Sequence, residues 1–72
     1  MSATQILVQY RTERDLAFEA FDLWCRLEET ECTHGVSMRW CVRSVLVWRG
    51  YCSTGPFFRS VLRLAKQWAD LP

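Results

Sequence analysis

The sequence predicts a small all-α domain of three helices, and three observations lead to this fold class. Apolar residues recur at helical spacing in three stretches, residues 12–30, 37–51 and 55–70. Glycine and small polar residues separate these stretches, as they do between helices. Half of the 72 residues are hydrophobic, which is enough to form a core, and a chain of this length forms one domain.

The segment that precedes the first predicted helix, residues 4–10, fits two interpretations. Every second residue from Ile6 to Tyr10 is apolar, which is typical of a β-strand. Ser2 followed by Gln5 is a capping-box pattern, which is typical of a helix start. The segment is therefore predicted to be either a short strand or an N-terminal extension of the first helix.

The first helix is predicted over residues 12–30, because Thr12 and Asp15 resemble a capping box. One face of this helix is apolar and the opposite face is charged. The apolar face contains Leu16, Ala20, Leu23, Trp24 and Leu27. Three acidic residues near the helix C-terminus oppose the helix dipole, so we expect them to meet a basic partner such as Arg39 or Arg43.

The second helix is predicted over residues 37–51, with Ser37 as its cap and a break in the segment from Gly50 to Gly55. A strand is the alternative, since the first eight residues of Val36–Tyr51 alternate cleanly, but sixteen residues exceed the usual length of a strand. As a helix, this segment has two apolar sides. The main stripe contains Met38, Cys41, Val42, Val45, Trp48 and Cys52.

The third helix is predicted over residues 55–70, with Thr54 as its cap and Pro56 in its first turn. Its apolar face contains Phe57, Phe58, Val61, Leu64, Ala65 and Trp68. Its solvent-exposed face contains Arg59, Arg63, Lys66 and Asp70.

Charge is distributed unevenly along the chain. Residues 1–31 contain three arginines and seven acidic residues, a net charge of −4, whereas residues 32–72 contain six basic residues and one acidic residue, a net charge of +5. The two halves therefore attract each other, within one chain or between two copies. Eight of the nine basic residues are arginine, which favours bidentate and stacked contacts at interfaces.

The cysteines indicate a reducing compartment. No secretory signal or membrane-spanning stretch is recognisable, so we expect a cytoplasmic protein with reduced thiols. Cys25, Cys32, His34 and Cys41 have a spacing that matches no usual zinc pattern. We therefore predict neither a metal nor a cofactor, although these four residues remain the only candidate ligands. Cysteines of this kind usually behave as small buried hydrophobic residues.

Catalytic patterns are scarce in this sequence. His34 is the one histidine and lies in a predicted turn, and a nucleophile built from Cys32 and His34 has no specific spacing. The chain contains no glycine-rich phosphate loop and no carboxylate pair on an apolar background. We therefore expect a protein that is not an enzyme.

DNA binding is the alternative function. If residues 4–10 form a strand, Gln5, Gln9 and Arg11 point outward and two helices follow. This order resembles the ribbon-helix-helix repressors over about residues 4–50. The resemblance implies a dimeric transcriptional regulator whose paired strands enter the major groove, although the first helix here is longer than in that family and strongly acidic.

The third helix offers a second mode of nucleic-acid binding. Arg59, Arg63 and Lys66 form a basic stripe along it. A recognition helix contacts bases near its N-terminus, where this chain has Phe57 and Phe58. The sequence pI of about 7.7 is also low for a nucleic-acid-binding domain.

Protein binding is the function that we expect. The chain contains fourteen Trp, Tyr and Arg residues, the types that dominate interface hot spots. We expect the partner-binding residues to be Trp40, Tyr51, Arg39, Arg43 and Val47, on the second apolar side of the second helix. The other three tryptophans lie on main apolar stripes and are expected in the core: Trp24, Trp48 and Trp68.

The second apolar side also suggests how the chain associates. Two-fold pairing of two copies is the simplest way to cover it, so we expect a homodimer through the second helix. We further expect an adaptor or inhibitor that covers a surface of another protein. Small proteins without catalytic residues are common among phage and mobile-element accessory factors.

Overall fold

A computed structural model of the chain describes residues 2–30 and 36–71, apart from the side chains of residues 6–10. The described residues form three helices: α1 (Ala3–Glu29), α2 (Met38–Trp48) and α3 (Gly55–Ala69). They contain no strand, and the predicted all-α class is confirmed. Each helix packs against both of the others.

The start of α1 resolves the two interpretations of the N-terminal segment. Ser2 Oγ accepts a hydrogen bond from the Gln5 backbone N–H at 3.2 Å, and Gln5 Oε1 accepts one from the Ser2 N–H at 3.0 Å. This reciprocal capping box satisfies two backbone donors and begins the helix at Ala3. The helical extension is therefore confirmed and the strand over residues 4–10 is wrong. The predicted start at Thr12 is also wrong, because Thr12 lies within a helix that has already begun.

The two ends of α2 follow from local hydrogen bonds. Ser37 Oγ accepts from the Trp40 N–H at 3.2 Å, which confirms the predicted cap. The helix ends at Trp48, three residues before the predicted end. Gly50 has a φ of +79°, and the following Tyr51 N–H donates to the Leu46 carbonyl at 2.8 Å, which closes a Schellman motif.

The start of α3 depends on Gly55 and Pro56. Gly55 has a φ of +84°, which is outside the helical region, and Pro56 follows with a φ that its ring restricts to helical values. Thr54 precedes the helix as predicted, but its side chain makes no capping hydrogen bond. The glycine–proline pair therefore sets the direction in which α3 leaves the loop.

The core lies between the three helices and is built around α2. Five residues of this helix are buried: Met38, Cys41, Val42, Val45 and Leu46. The other helices contribute Leu16, Ala17, Ala20, Phe58, Val61 and Ala65. The three alanines are fully buried, and their small side chains allow the helix backbones to approach closely. The apolar faces predicted for the first and third helices are thus confirmed.

Of the three tryptophans that are predicted to lie in the core, two pack against it and one is exposed. Trp24 and Trp68 are partly buried and pack against the core, as expected. Trp68 also makes edge contacts with Phe18 and Phe21, at ring-centroid distances of 6.2 and 6.4 Å. The prediction for Trp48 is wrong, because this side chain is 69% exposed. The apolar stripe drifts by about 20° per heptad, so it has turned partly away from the core at the last turn of α2.

Two adjacent turns of α2 allow a matched test of this packing. Val42 is fully buried, whereas Val47 is 60% exposed on the same helix. We expect Val42→Ala to lower the free energy of unfolding by about 2 kcal/mol, because it removes buried methyl groups and leaves a cavity. Val47→Ala changes it by about 0.5 kcal/mol or less. Urea unfolding followed by circular dichroism measures both values, and equal losses would show that α2 is not oriented as described.

Candidate interaction surface

The outer side of α2 carries exposed apolar residues. Trp40 is 48% exposed, and Val47 and Trp48 are more exposed still. Trp40 and Val47 are seven residues apart, so they lie on the same side of the helix, about 10 Å apart along its axis. Arg39 and Arg43 are also exposed and lie next to them. We call these five residues, Arg39, Trp40, Arg43, Val47 and Trp48, the α2 outward surface.

Tyr51 lies outside this surface. The Schellman turn reverses the chain after Trp48, so Tyr51 is not on the helix. Its ring instead stacks on Phe57 at the start of α3, with ring centroids 5.4 Å apart and an interplanar angle of 27°. The structure therefore brings four of the five predicted partner-binding residues onto one side of α2 and places the fifth beyond its end.

Arg39 and Arg43 pack on an aromatic ring. Each guanidinium carbon lies 5.6 Å from the centroid of the Phe58 ring, which itself is buried. Cation–π contacts of this kind contribute about 0.5–1 kcal/mol at exposed sites. The sequence predicts that these arginines pair with the acidic residues at the end of α1. Among the described residues, neither Arg39 nor Arg43 forms such an ion pair. Those acidic residues are Glu28, Glu29 and Glu31, and Glu31 lies outside the described residues.

A groove between α2 and α3 extends this basic region. Its volume is about 380 Å³, and Arg59 of α3 lines it together with Arg39 and Arg43. The remaining lining residues are Thr54, Gly55, Phe58 and Leu62. We call this groove the arginine groove. It unites two predicted protein-binding residues with one residue from the predicted nucleic-acid set.

The opposite flank of α2 faces α1 and has a different charge pattern. Trp48 lies beside a groove lined by Glu19, Asp22, Leu23, Arg26, Val45 and Arg49. Arg49 forms a bidentate ion pair with Glu19, and Arg26 pairs with Asp22 at 3.1 Å. The hydrogen bonds and charge of Glu19 raise the pKa of Arg49 above its ordinary value. This flank is therefore internally neutralised, and the arginine groove is the more basic flank.

The residues of the DNA-binding alternative belong to two helices, α1 and α3. Gln5 caps α1, and the side chain of Gln9 lies outside the described residues. Arg11 is exposed on α1, whereas Arg59, Arg63 and Lys66 are exposed on α3, four and three residues apart. Lys66 lines a separate groove with Glu28 and Asp70. Because residues 4–10 are helical, the paired strands of a ribbon-helix-helix repressor have no counterpart here, and DNA binding stays a prediction.

The N-terminal turn of α3 is blocked as a recognition element. Phe58 is buried beneath Arg39 and Arg43, and Phe57 is partly buried against Tyr51. A recognition helix needs side chains at these positions that reach base edges. The exposed basic residues of α3 lie beyond them, at Arg59, Arg63 and Lys66.

Two candidate metal ligands, Cys32 and His34, lie outside the described residues. Within residues 2–30 and 36–71, no group of three or more His, Cys, Asp or Glu side chains is placed to hold a metal ion. Cys41 is fully buried and Cys25 is partly buried, and burial raises the pKa of each thiol.

Among the described helices, none combines the length and hydropathy that crossing a bilayer requires.

Cys52 differs from the other described thiols. It is exposed, and its Sγ lies 3.4 Å from the Thr54 hydroxyl oxygen. Hydrogen bonding from Thr54 lowers the pKa of Cys52 below its ordinary value. The prediction that Cys52 belongs to the main apolar stripe is therefore wrong, because the chain leaves the helix before reaching it.

Neither the place of Trp48 in the α2 outward surface nor that of Arg59 in the arginine groove was predicted from the sequence. The helical angle of Trp48 lies near the apolar stripe and therefore predicts a core position. Arg59 joins Arg39 and Arg43 only through the packing of α3 on α2.

No family model, curated protein or solved structure matches this chain significantly.

The geometry at Cys52 predicts a reactivity order. In a Cys32→Ser background, which confines the comparison to the described thiols, we expect iodoacetamide to alkylate Cys52 before Cys25 and Cys41. A lowered pKa keeps more of the thiol ionised as the pH falls. The midpoint, which is the pH at which the alkylation rate is half of its maximum, therefore lies below that of free cysteine. Mass spectrometry of timed aliquots measures the order. The isosteric Thr54→Val change should raise the midpoint, and an unchanged midpoint would refute the role of Thr54.

Proposed function

We propose that this chain is a non-catalytic protein-binding module that uses the α2 outward surface to cover a surface of another protein, as an adaptor or inhibitor. One observation carries the proposal. Trp40, Val47 and Trp48 are 48%, 60% and 69% exposed on a helix whose other side forms the core. Exposed apolar clusters next to polar residues mark interaction sites, and Trp and Arg are the residues that most often dominate binding energy.

The surface is held in position before any partner binds. Ser37 caps the start of α2, the Schellman turn closes its end, and its inner side is buried against two helices. A partner therefore meets a formed helix and does not have to order it. Preorganisation of this kind reduces the entropy lost on binding and favours affinity.

The side chains on this surface suit binding better than proton transfer. Tryptophan and valine do not titrate, and arginine stays protonated throughout the physiological range. The same residues provide large apolar area and bidentate hydrogen bonds, which are the main components of a protein interface. This composition supports a binding role over an acid–base role.

The size of the chain also bears on the proposal. A standard interface buries about 800 Å² on each partner, which is roughly 15% of the 5342 Å² of accessible surface here. The eleven residues of α2 span only about 16 Å. An interface of that size centred on Val47 therefore extends onto both flanks, to the arginine groove on one side and Trp48 on the other.

The proposal is tested by capturing proteins from lysate of the source cells on the immobilised chain. Two alanine variants of the chain are then compared for binding to the captured partner. We expect a stoichiometric protein partner in nuclease-treated lysate, identified by mass. Trp40→Ala should weaken its binding by about 30-fold or more, because truncation removes a large anchor. Surface plasmon resonance with the purified partner measures the change.

Phe18→Ala is the matched control. Phe18 is also an exposed aromatic residue, at 63%, but it lies on α1 beside Trp68. We expect this variant to bind the partner within about twofold of the original chain. Equal loss in both variants, with thermal unfolding unchanged, would show that the α2 outward surface is not the binding site.

A further inference from the structure

We infer that the arginine groove binds an acidic segment of the protein partner, with Arg39, Arg43 and Arg59 pairing its carboxylates while Trp40 and Val47 contact its apolar residues. This inference rests on the proposed function and specifies the chemistry of the partner. Its basis is the convergence of three arginines from two helices around one groove.

The charges of the groove are not neutralised within the described chain. None of the residues that line the groove is acidic. The two ion pairs of the described residues, Glu19 with Arg49 and Asp22 with Arg26, are both on the α1 side of α2. Three guanidinium groups that share one groove repel each other, so an anion that enters it relieves this repulsion as well as forming hydrogen bonds.

Phe58 prepares the arginines for such a ligand. The contacts of Arg39 and Arg43 with its ring, at 5.6 Å each, restrict two long side chains to the groove. A guanidinium that packs on an aromatic face still has N–H groups at its edges, and these match the two oxygens of a carboxylate. The entropy of positioning these arginines is therefore partly lost before the partner binds.

A carboxylate-bearing protein segment fits this site better than nucleic acid. Trp40 and Val47 lie beside Arg39 and Arg43 on α2, so a peptide that carries both acidic and aliphatic side chains can place carboxylates in the groove while it covers these two residues. Residues 1–31 also carry a net charge of −4. A long polyanion that passes over the arginine groove experiences repulsion from this acidic half of the chain, whereas a short acidic segment lies mostly within one Debye length of the groove, about 8–10 Å.

A second copy of the chain fits the surface poorly in the predicted two-fold arrangement. Pairing Trp40 with Val47 of a partner copy places the symmetry axis between Arg43 and Ser44. The arginine grooves of the two copies then lie on the same side of the interface, where like charges oppose association. An acidic partner turns the same arginines into attractive contacts.

Fluorescence anisotropy with defined probes tests the inference. The probes are a short labelled peptide of alternating Glu and Leu, its Gln and Leu counterpart, and a single-stranded and a duplex DNA oligonucleotide. At about 150 mM salt we expect the Glu peptide to bind at least about tenfold more tightly than the Gln peptide and both DNA probes.

Charge reversal locates the binding site. The double variant R39E/R43E should weaken binding of the Glu peptide by at least about tenfold, and Arg59→Glu should weaken it as well. The control is Arg14→Glu, the same change at an exposed residue of α1. It should alter affinity by less than about threefold. Circular dichroism checks that each variant stays folded, and Arg43→Gln provides a milder change if charge reversal unfolds the chain.

Several outcomes would overturn the inference. They are equal binding of the Glu and Gln peptides, no binding of the Glu peptide up to about 1 mM, and equal losses in R39E/R43E and Arg14→Glu. Tighter, steeply salt-dependent binding of either DNA probe would favour nucleic acid instead. Dimers in sedimentation that Trp40→Ala abolishes would favour a second copy. If a captured partner depends on Trp40 but not on these arginines, the inference fails and the proposed function stands.

Discussion

The packing of α2 against both α1 and α3 is the constraint on which the other features depend. This eleven-residue helix supplies five of the eleven buried hydrophobic residues, and each neighbouring helix packs against it. Ala17, Ala20 and Ala65 are fully buried in the neighbouring helices. Because alanine ends at Cβ, the backbones can lie close together and the branched side chains of α2 fill the remaining space. The position of α2 therefore defines the grooves on both of its flanks.

A helix that buries one side in so small a chain has to expose the other. What distinguishes this chain is which residues it exposes there: Trp40, Val47 and Trp48, with Arg39 and Arg43 beside them. The two flanks also differ, since α1 presents carboxylates that are already paired with arginines, whereas on the α3 side the charged residues among the described lining residues are all arginines. An asymmetric surface of this kind can orient a partner as well as hold it.

Much of the fold could be predicted, because it is encoded by local patterns. Ser37 begins α2 as its cap, Gly50 ends it, and the apolar faces of α1 and α3 lie in the core. The error at the start of α1 arose because two local patterns competed. Both Ser2 and Thr12 begin capping-box patterns, and the structure uses the first, so that Thr12 lies inside α1. Once a helix has nucleated, extending it is easier than starting another one.

The sequence by itself determined the three helices, the Ser37 cap of α2 and the angle of each side chain around its own helix axis, since these depend on neighbours within about four residues. Only the tertiary structure decided which angles face a neighbouring helix. Trp48 is exposed beside the Asp22–Arg26 pair, although its position on the helix allowed a place in the core. Arg59 lies beside Arg39 and Arg43 because α3 packs on α2. Contacts between residues this far apart in sequence depend on how helices cross, and the period of a single helix contains no information on that crossing.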